Sequence, residues 1–116
     1  IARKELLAHL REALGVRHLL VAGPTDGEVS RVAVGAGACG DLLRDVIAAG
    51  AGLYLTGEMR HHDALRAAAE GLTVACALHS DSERVTLARL AERLRAAHPD
   101  VRFDLSTRDR DPFEIW

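Results

Sequence analysis

Short apolar runs alternate along this chain with stretches of helical periodicity, and this alternation restricts the fold more than any other feature. The apolar runs predict strands at residues 18–22, 31–35, 53–56 and 72–78. The periodic stretches predict helices over residues 2–14, 41–49, 59–70 and 81–97. Residues 101–105 alternate apolar and polar side chains and predict one more strand. The expected fold is therefore a three-layer α/β sandwich with a mostly parallel or mixed sheet of about five strands.

The length of 116 residues fits one domain. Gly15 separates the first helix from the rest, so residues 1–16 are predicted as a connector helix and residues 17–116 as a C-terminal α/β domain. The chain begins at Ile1 rather than at Met, which predicts that it is cut from a longer protein.

Composition excludes several classes of function. Apolar residues make up 48% of the chain, enough for a packed core, and the net charge of −2 provides no basic field for nucleic acid. Aromatic residues are only 3%, and no apolar run approaches the roughly 20 residues that span a bilayer. Two cysteines are too few for a disulfide framework. We therefore expect a cytoplasmic protein that binds neither nucleic acid nor membrane.

The glycine-rich run Gly35–Gly40 is the first candidate site. Its sequence GAGACG matches the dinucleotide fingerprint, it follows a predicted strand, and Glu58 lies 18 residues beyond Gly40. The alternative is a tight turn between a strand and a helix that requires glycine for its backbone geometry. The spacing alone leaves both interpretations open.

The second candidate lies directly after the most apolar strand. His79 and Glu83 are four residues apart, and an imidazole and a carboxylate suit a zinc, iron or manganese ion. The alternative is a capping box, in which the Glu83 side chain reaches back to the backbone N–H of Ser80.

The third candidate is the segment Thr56–Asp63, where adjacent histidines lie between acidic residues. His61 and His62 are suited to holding a metal or placing a proton donor near a substrate. The alternative is an ordinary helix start, with Thr56 and Glu58 interacting favourably with the helix dipole.

Taken in order, these segments resemble a known family. The run Gly35–Gly37, the run Leu53–Met59 with the His61–Asp63 triplet, and the run His79–Arg84 are together similar to the C-terminal part of the NIF-three-like proteins. The closing Asp109–Pro112 also resembles the end of the eukaryotic-type members. These are also described as dinuclear-metal-centre hexameric proteins, and some members carry the name GTP cyclohydrolase I type 2. The resemblance extends from about Val29 to the end of the chain.

The resemblance implies roles for individual residues. His79 and Glu83 match a histidine and a glutamate that help bind two metal ions, so they are the expected metal ligands. The other family ligands, two histidines and an aspartate, belong to an N-terminal half that this sequence lacks. His62 and Glu58 are expected to lie around the ligands or to face the substrate. Leu78 stands where many members have glycine, and Ser80 where bacterial members often have an aromatic residue or histidine.

The function expected from this resemblance is half of a dinuclear metal centre, completed by an N-terminal part in a toroidal homo-oligomer, a hexamer. The chemistry would be that of a metal-dependent hydrolase similar to GTP cyclohydrolase type 2, although no residue of the chain selects GTP. The alternative is a non-enzymatic metal-binding regulatory or scaffold protein that acts through protein partners.

Overall fold

The computed structural model describes all residues from Ile1 to Trp116. It contains four α-helices: α1 (Arg3–Leu14), α2 (Leu43–Ala48), α3 (His61–Ala69) and α4 (His79–Ala97). It also contains four strands: β1 (Leu20–Ala22), β2 (Val32–Ala38), β3 (Leu53–Glu58) and β4 (Thr73–Cys76). Each predicted helix is present, and the first four predicted strands are confirmed. No helix combines the length and apolar character that a membrane crossing requires.

The strands form one mixed sheet in the order β1-β4-β3-β2. β2, β3 and β4 run parallel, while β1 pairs antiparallel with β4 and forms one edge. β3 and β4 occupy the centre, and all residues of β4 are buried. Their continuous apolar sequences are typical of strands that are covered on both faces.

Helices cover both faces of the sheet. On one face, side chains of α2 and α3 pack with Tyr54, Val74 and Cys76. On the other face, leucines of α1 pack against Leu53 and Leu55, and α4 contacts both α1 and the sheet. The expected α/β sandwich of three layers is therefore confirmed. α1 packs on the sheet through its apolar side, and its role as a connector to a further part of the protein stays a prediction.

The predicted strand at residues 101–105 is wrong, and the sheet has four strands rather than about five. This segment follows the end of α4, where Arg95 donates two hydrogen bonds to the carbonyl of Phe103, at 3.0 and 2.6 Å. The Arg95 side chain thus occupies the Phe103 carbonyl oxygen, which would otherwise be free to pair with a neighbouring strand. The alternating pattern reflects Phe103, which is half-buried near the His98 ring, while Val101 and Leu105 remain exposed.

Candidate functional site

The candidate site lies at the edge of the sheet where the three parallel strands end. Glu58 is the last residue of β3, and His79 begins α4 shortly after β4. In open α/β sheets this carboxyl edge is where ligands bind, because loops from neighbouring parallel strands meet there. The topology therefore brings together two residues that are 21 positions apart in the sequence.

Two carboxylates flank the imidazole of His79. Its Nδ1 atom lies 2.8 Å from Oε1 of Glu58, and its Nε2 atom lies 3.5 Å from Oε1 of Glu83. Glu83 follows His79 by one helical turn, a spacing that places both side chains on the same side of α4. The side chains of His79 and Glu83 are 48% and 52% exposed, so both remain accessible to a ligand.

The hydrogen bond that His79 donates to Glu58 changes the chemistry of the imidazole. It is the main reason that the pKa of His79 is raised above 6.5; partial burial lowers that pKa, and the charges of Glu83, Glu58 and Asp111 raise it again. A carboxylate only accepts hydrogen bonds, so the neutral imidazole carries its proton on Nδ1. Nε2 is then left as the basic nitrogen, in the arrangement that orients many metal-binding histidines.

Two glycines allow α4 to begin so close to the sheet. A Cβ atom on Gly57 would lie 2.6 Å from Oγ of Ser82 and 2.9 Å from Cα of His79. A Cβ atom on Gly37 would lie 2.9 Å from Oε1 of Glu83 and 3.1 Å from Nε2 of His79, and Gly37 also has φ +70°. The glycines therefore leave the space that His79 and Glu83 occupy.

Ser82 fixes the first turn of α4 to the sheet. Its buried hydroxyl accepts a hydrogen bond from the Gly37 amide at 2.8 Å and donates one to the His79 carbonyl at 2.7 Å. The sequence prediction gave Ser82 no role, and it included Gly37 and Gly57 only within the glycine-rich run and the Thr56–Asp63 segment, not as residues that make room for His79 and Glu83. The only signal was the position of a small polar residue between His79 and Glu83, within the same turn.

The backbone immediately before His79 is strained. Leu78 has φ 71° and ψ 155°, and it is the only residue other than glycine with a positive φ. This region of φ/ψ space is populated almost only by glycine, and a larger side chain there costs about 1–3 kcal/mol. Surrounding contacts must therefore hold the turn from β4 into α4.

The capping-box interpretation of Ser80 and Glu83 is wrong. α4 already begins at His79, with Leu78 as the N-cap residue and without any side-chain cap, so Ser80 lies inside the first turn. The Ser80 hydroxyl instead donates a hydrogen bond of 2.6 Å to Asp111 in the C-terminal segment. This bond is the main reason that the pKa of Asp111 is lowered, followed by the hydrogen bond from the Phe113 amide.

The histidines of the third candidate form a separate group. Both are exposed at the start of α3, and their rings meet edge to face with centroids 5.7 Å apart. No hydrogen bond or ion pair joins His61 or His62 to His79, and the role of His62 near the site stays a prediction. The alternative of Thr56 and Glu58 at a helix start is wrong, because both belong to β3 and the buried Thr56 hydroxyl donates to the Gly37 carbonyl.

The glycine-rich run does not have the geometry of a dinucleotide fingerprint. Gly35 to Ala38 continue β2 through an irregularity in its pairing with β3, and α2 starts only at Leu43 after a 3₁₀ turn. The helix has six residues, and Glu58 is engaged with His79. A pyrophosphate therefore lacks the loop and the helix start on which it would bind.

The donor set of the chain fits part of a metal site. His79 and Glu83 provide a nitrogen and an oxygen donor that zinc, iron and manganese all accept. No group of three or more His, Cys, Asp or Glu side chains converges closely enough to hold an ion within this chain. Zinc sites require three or four protein ligands, so any ion bound here needs donors from elsewhere.

Comparison with known proteins identifies the family. The family model described as Duf34/NIF3 (NGG1p interacting factor 3) matches residues 1–112. The chain belongs to this family, as the combined sequence motifs predicted.

Two curated relatives and one solved structure illustrate the likeness. The chain is 43% identical over 110 residues to NIF3-like protein 1 of Mus musculus, covering 94% of this chain and 27% of the mouse protein. It is 29% identical over 112 residues to the GTP cyclohydrolase 1 type 2 homolog of Clostridium perfringens, covering 96% of this chain and 43% of that protein. The crystal structure of a Bacillus cereus protein related to NIF3 superposes with a TM-score of 0.81 at 26% identity, over 100% of this chain and 33% of that one. The chain thus spans less than half the length of each of these relatives.

Proposed function

We propose that this chain contributes half of a dinuclear metal centre, with His79 and Glu83 as its ligands. The observation that carries the proposal is the pair of side chains on the first turn of α4, with Nε2 of His79 3.5 Å from Oε1 of Glu83. Glu58 supports it, because a hydrogen bond on Nδ1 leaves Nε2 as the nitrogen that binds an ion. The remaining ligands are proposed to come from a part of the protein beyond these residues.

The exposure of the pair supports a site that is shared between two parts of a protein. Both side chains are about half exposed, and Ser82 in the same turn is fixed to the sheet by its hydrogen bond from Gly37. The ligands are thus held on a rigid element while one side remains open. Closure of that side by a further domain, within a toroidal homo-oligomer, is part of the proposal, as is a cytoplasmic location.

We further propose that the complete centre serves a hydrolase. A divalent ion bound there would act as a Lewis acid and lower the pKa of a water molecule towards about 7. Within this chain, His79 and Glu83 would bind the ion, and Glu58 would keep the imidazole in the required tautomer. The name of the clostridial relative, a GTP cyclohydrolase 1 type 2 homolog, supports a nucleotide as the first substrate to test.

The alternative is a metal-binding scaffold that acts through protein partners. The description of the matching family as NGG1p interacting factor 3 favours this second function. The two functions differ in turnover: the hydrolase requires metal-dependent conversion of GTP or a phosphoester by the protein that includes the remaining ligands, whereas the scaffold shows none.

A Zn²⁺ titration of this chain, followed by nuclear magnetic resonance of its histidine side chains, tests the half-site. We expect weak binding that perturbs His79 first, and loss of that binding in His79→Ala and Glu83→Ala. His9→Ala is the matched control, because His9 is exposed on α1 and forms no hydrogen bond or ion pair with His79, Glu83 or Glu58. Tight stoichiometric binding by this chain alone would contradict a half-site, and unchanged binding in His79→Ala would reject the ligand assignment.

A further inference from the structure

The C-terminal segment returns to the first two turns of α4 and contacts them at two points. The Arg84 guanidinium donates to both carboxylate oxygens of Asp109, from Nε at 2.9 Å and from Nη2 at 3.3 Å. Two residues later, Asp111 accepts the hydrogen bond of 2.6 Å from the Ser80 hydroxyl. We call Asp109 and Asp111 the clasp. Its two aspartates contact α4 at positions that flank Asp81–Glu83.

Further contacts support the two aspartates of the clasp. Asp111 also accepts a hydrogen bond of 2.9 Å from the Phe113 amide, which closes a local turn around its carboxylate. Arg84 pairs in addition with Asp81, whose side chain is 23% exposed, and Arg84 itself is only 30% exposed. A bidentate, partly buried arginine pair has the geometry that distinguishes specific contacts from ordinary surface ion pairs.

The position of the clasp coincides with the strained turn. Ser80 lies two residues after Leu78, the residue with φ 71° and ψ 155°, and His79 is between them. Ser82 holds the sheet side of the same turn through Gly37, while Asp111 holds its outer side through Ser80. His79 is therefore bracketed by two hydrogen bonds that do not involve its own side chain.

We propose that Asp111, supported by Asp109, is a positioning residue that holds the strained Leu78–Ser80 turn and thereby aims the imidazole of His79 at Glu58 and Glu83. The inference rests on the proposed function for its consequence, metal affinity. The coupling between the Asp111 carboxylate and the orientation of His79 does not depend on a bound metal. A leucine keeps a backbone conformation that is populated mainly by glycine only where surrounding contacts hold it there. For Leu78, the hydrogen bond between Ser80 and Asp111 is such a contact.

Nuclear magnetic resonance of the metal-free chain tests the coupling directly. In Asp111→Ala, we expect the side-chain nitrogens of His79 and the amide of Leu78 to shift, and the preference of His79 for the Nδ1–H tautomer to weaken. Asp111→Asn retains an oxygen that accepts from Ser80, but it removes the charge that helps to raise the pKa of His79. The spectra are therefore compared at a pH at which His79 is neutral, where its tautomer preference and the Leu78 amide should stay close to those of the unmodified chain. Asp100→Ala is the control, since Asp100 is exposed and makes no hydrogen bond or ion pair.

Zn²⁺ affinity provides the second measurement. Asp111→Ala is expected to weaken Zn²⁺ binding at His79 about 10-fold, the lower end of the range for groups that orient metal ligands. Leu78→Gly removes the strain, because glycine adopts a positive φ freely. In the Leu78→Gly background, the same Asp111→Ala change should therefore have a clearly smaller effect on His79 shifts and on Zn²⁺ affinity.

Two results would overturn the positioning role: unchanged His79 resonances in Asp111→Ala, or an undiminished effect of that substitution in the Leu78→Gly background. If Asp111→Ala fails to fold, Ser80→Ala takes its place in both measurements, because it removes the donor of the same hydrogen bond. The proposed function can fail separately: if the unmodified chain does not bind Zn²⁺ at His79, the spectra of the metal-free variants still decide whether the clasp orients this residue.

Discussion

The Nδ1 atom of His79 lies 2.8 Å from Oε1 of Glu58, across the carboxyl end of the parallel strands. This hydrogen bond determines which imidazole nitrogen remains free, because the carboxylate takes the proton-bearing one. It also connects the helix that begins with His79 to the strand that ends with Glu58. Changes at Glu58 should therefore be detectable at His79 before any ligand is added.

Glu58→Gln should lower the pKa of His79 towards its ordinary value of 6.5, since the raised pKa results mainly from the hydrogen bond to the Glu58 carboxylate. The protonated imidazole is stabilised in the folded state, so this contribution to stability is complete below pH 6.5 and is lost as the pH rises through the folded pKa. A pH titration of the His79 resonances in both proteins measures the change. Equal pKa values in the two proteins would exclude the role assigned to Glu58.

Gly57→Ala should destabilise the protein and displace His79. The added Cβ atom would lie 2.6 Å from Oγ of Ser82 and 2.7 Å from the Gly37 carbonyl oxygen, so the start of α4 must move away from the sheet. Overpacking of this kind costs about 1–3 kcal/mol in the free energy of unfolding. Urea unfolding measures the loss. Gly52→Ala is the control, because its nearest contact would be 3.4 Å from Val29, and a similar loss there would argue against a specific clash at Gly57.

Leu53→Ala should reduce the free energy of unfolding by about 2–5 kcal/mol, because removal of a fully buried leucine leaves a cavity. Leu53 is 0% exposed in the centre of the sheet, whereas Leu65 on α3 is 56% exposed. The matched substitution Leu65→Ala should change the free energy of unfolding by no more than about 0.5 kcal/mol. Chemical denaturation of both variants checks the difference, and equal losses would mean that the core lies elsewhere.

Cys76 should resist alkylation in the folded protein. Burial is the main cause that raises its pKa to about 11, followed by the charge of Glu58. At pH 8 only about 0.1% of this thiol is then present as the reactive thiolate. Mass spectrometry after iodoacetamide treatment of a Cys39→Ser variant follows Cys76 alone. Modification should occur in denaturant but not in the folded chain, and rapid modification of the folded chain would contradict its burial.

Local pattern was sufficient to predict the central elements of the fold. The run at residues 72–78 identified β4, and Leu53 with Leu55 identified β3, because a buried strand requires apolar side chains on both faces. The spacing of His79 and Glu83 was likewise visible, since both lie within one helical turn. Each of these features depends on residues close together in the sequence.

Features that depend on distant residues were not predictable. The pairing of Asp111 with Ser80 spans 31 residues, and the contact of Arg95 with Phe103 replaced a strand that the alternation in residues 101–105 favoured. The close approach of His79 and Glu83 to Gly37, which leaves no room for a side chain there, joins residues more than 40 positions apart and is encoded by no local pattern. Strain at Leu78 was also hidden, because leucine is an ordinary residue in sequence and is unusual only at φ 71°.

The separation between Glu58 and His79 has a consequence for how the chain folds. His79 and Glu83 become neighbours as soon as one turn of helix forms, but Glu58 joins them only after the whole β3-α3-β4 crossover has closed. Non-local parallel pairing is among the slower events in folding. The proton position on the His79 imidazole therefore reports closure of this crossover. A chain in which α4 has formed but the crossover has not would carry His79 and Glu83 side by side without the tautomer that Glu58 selects.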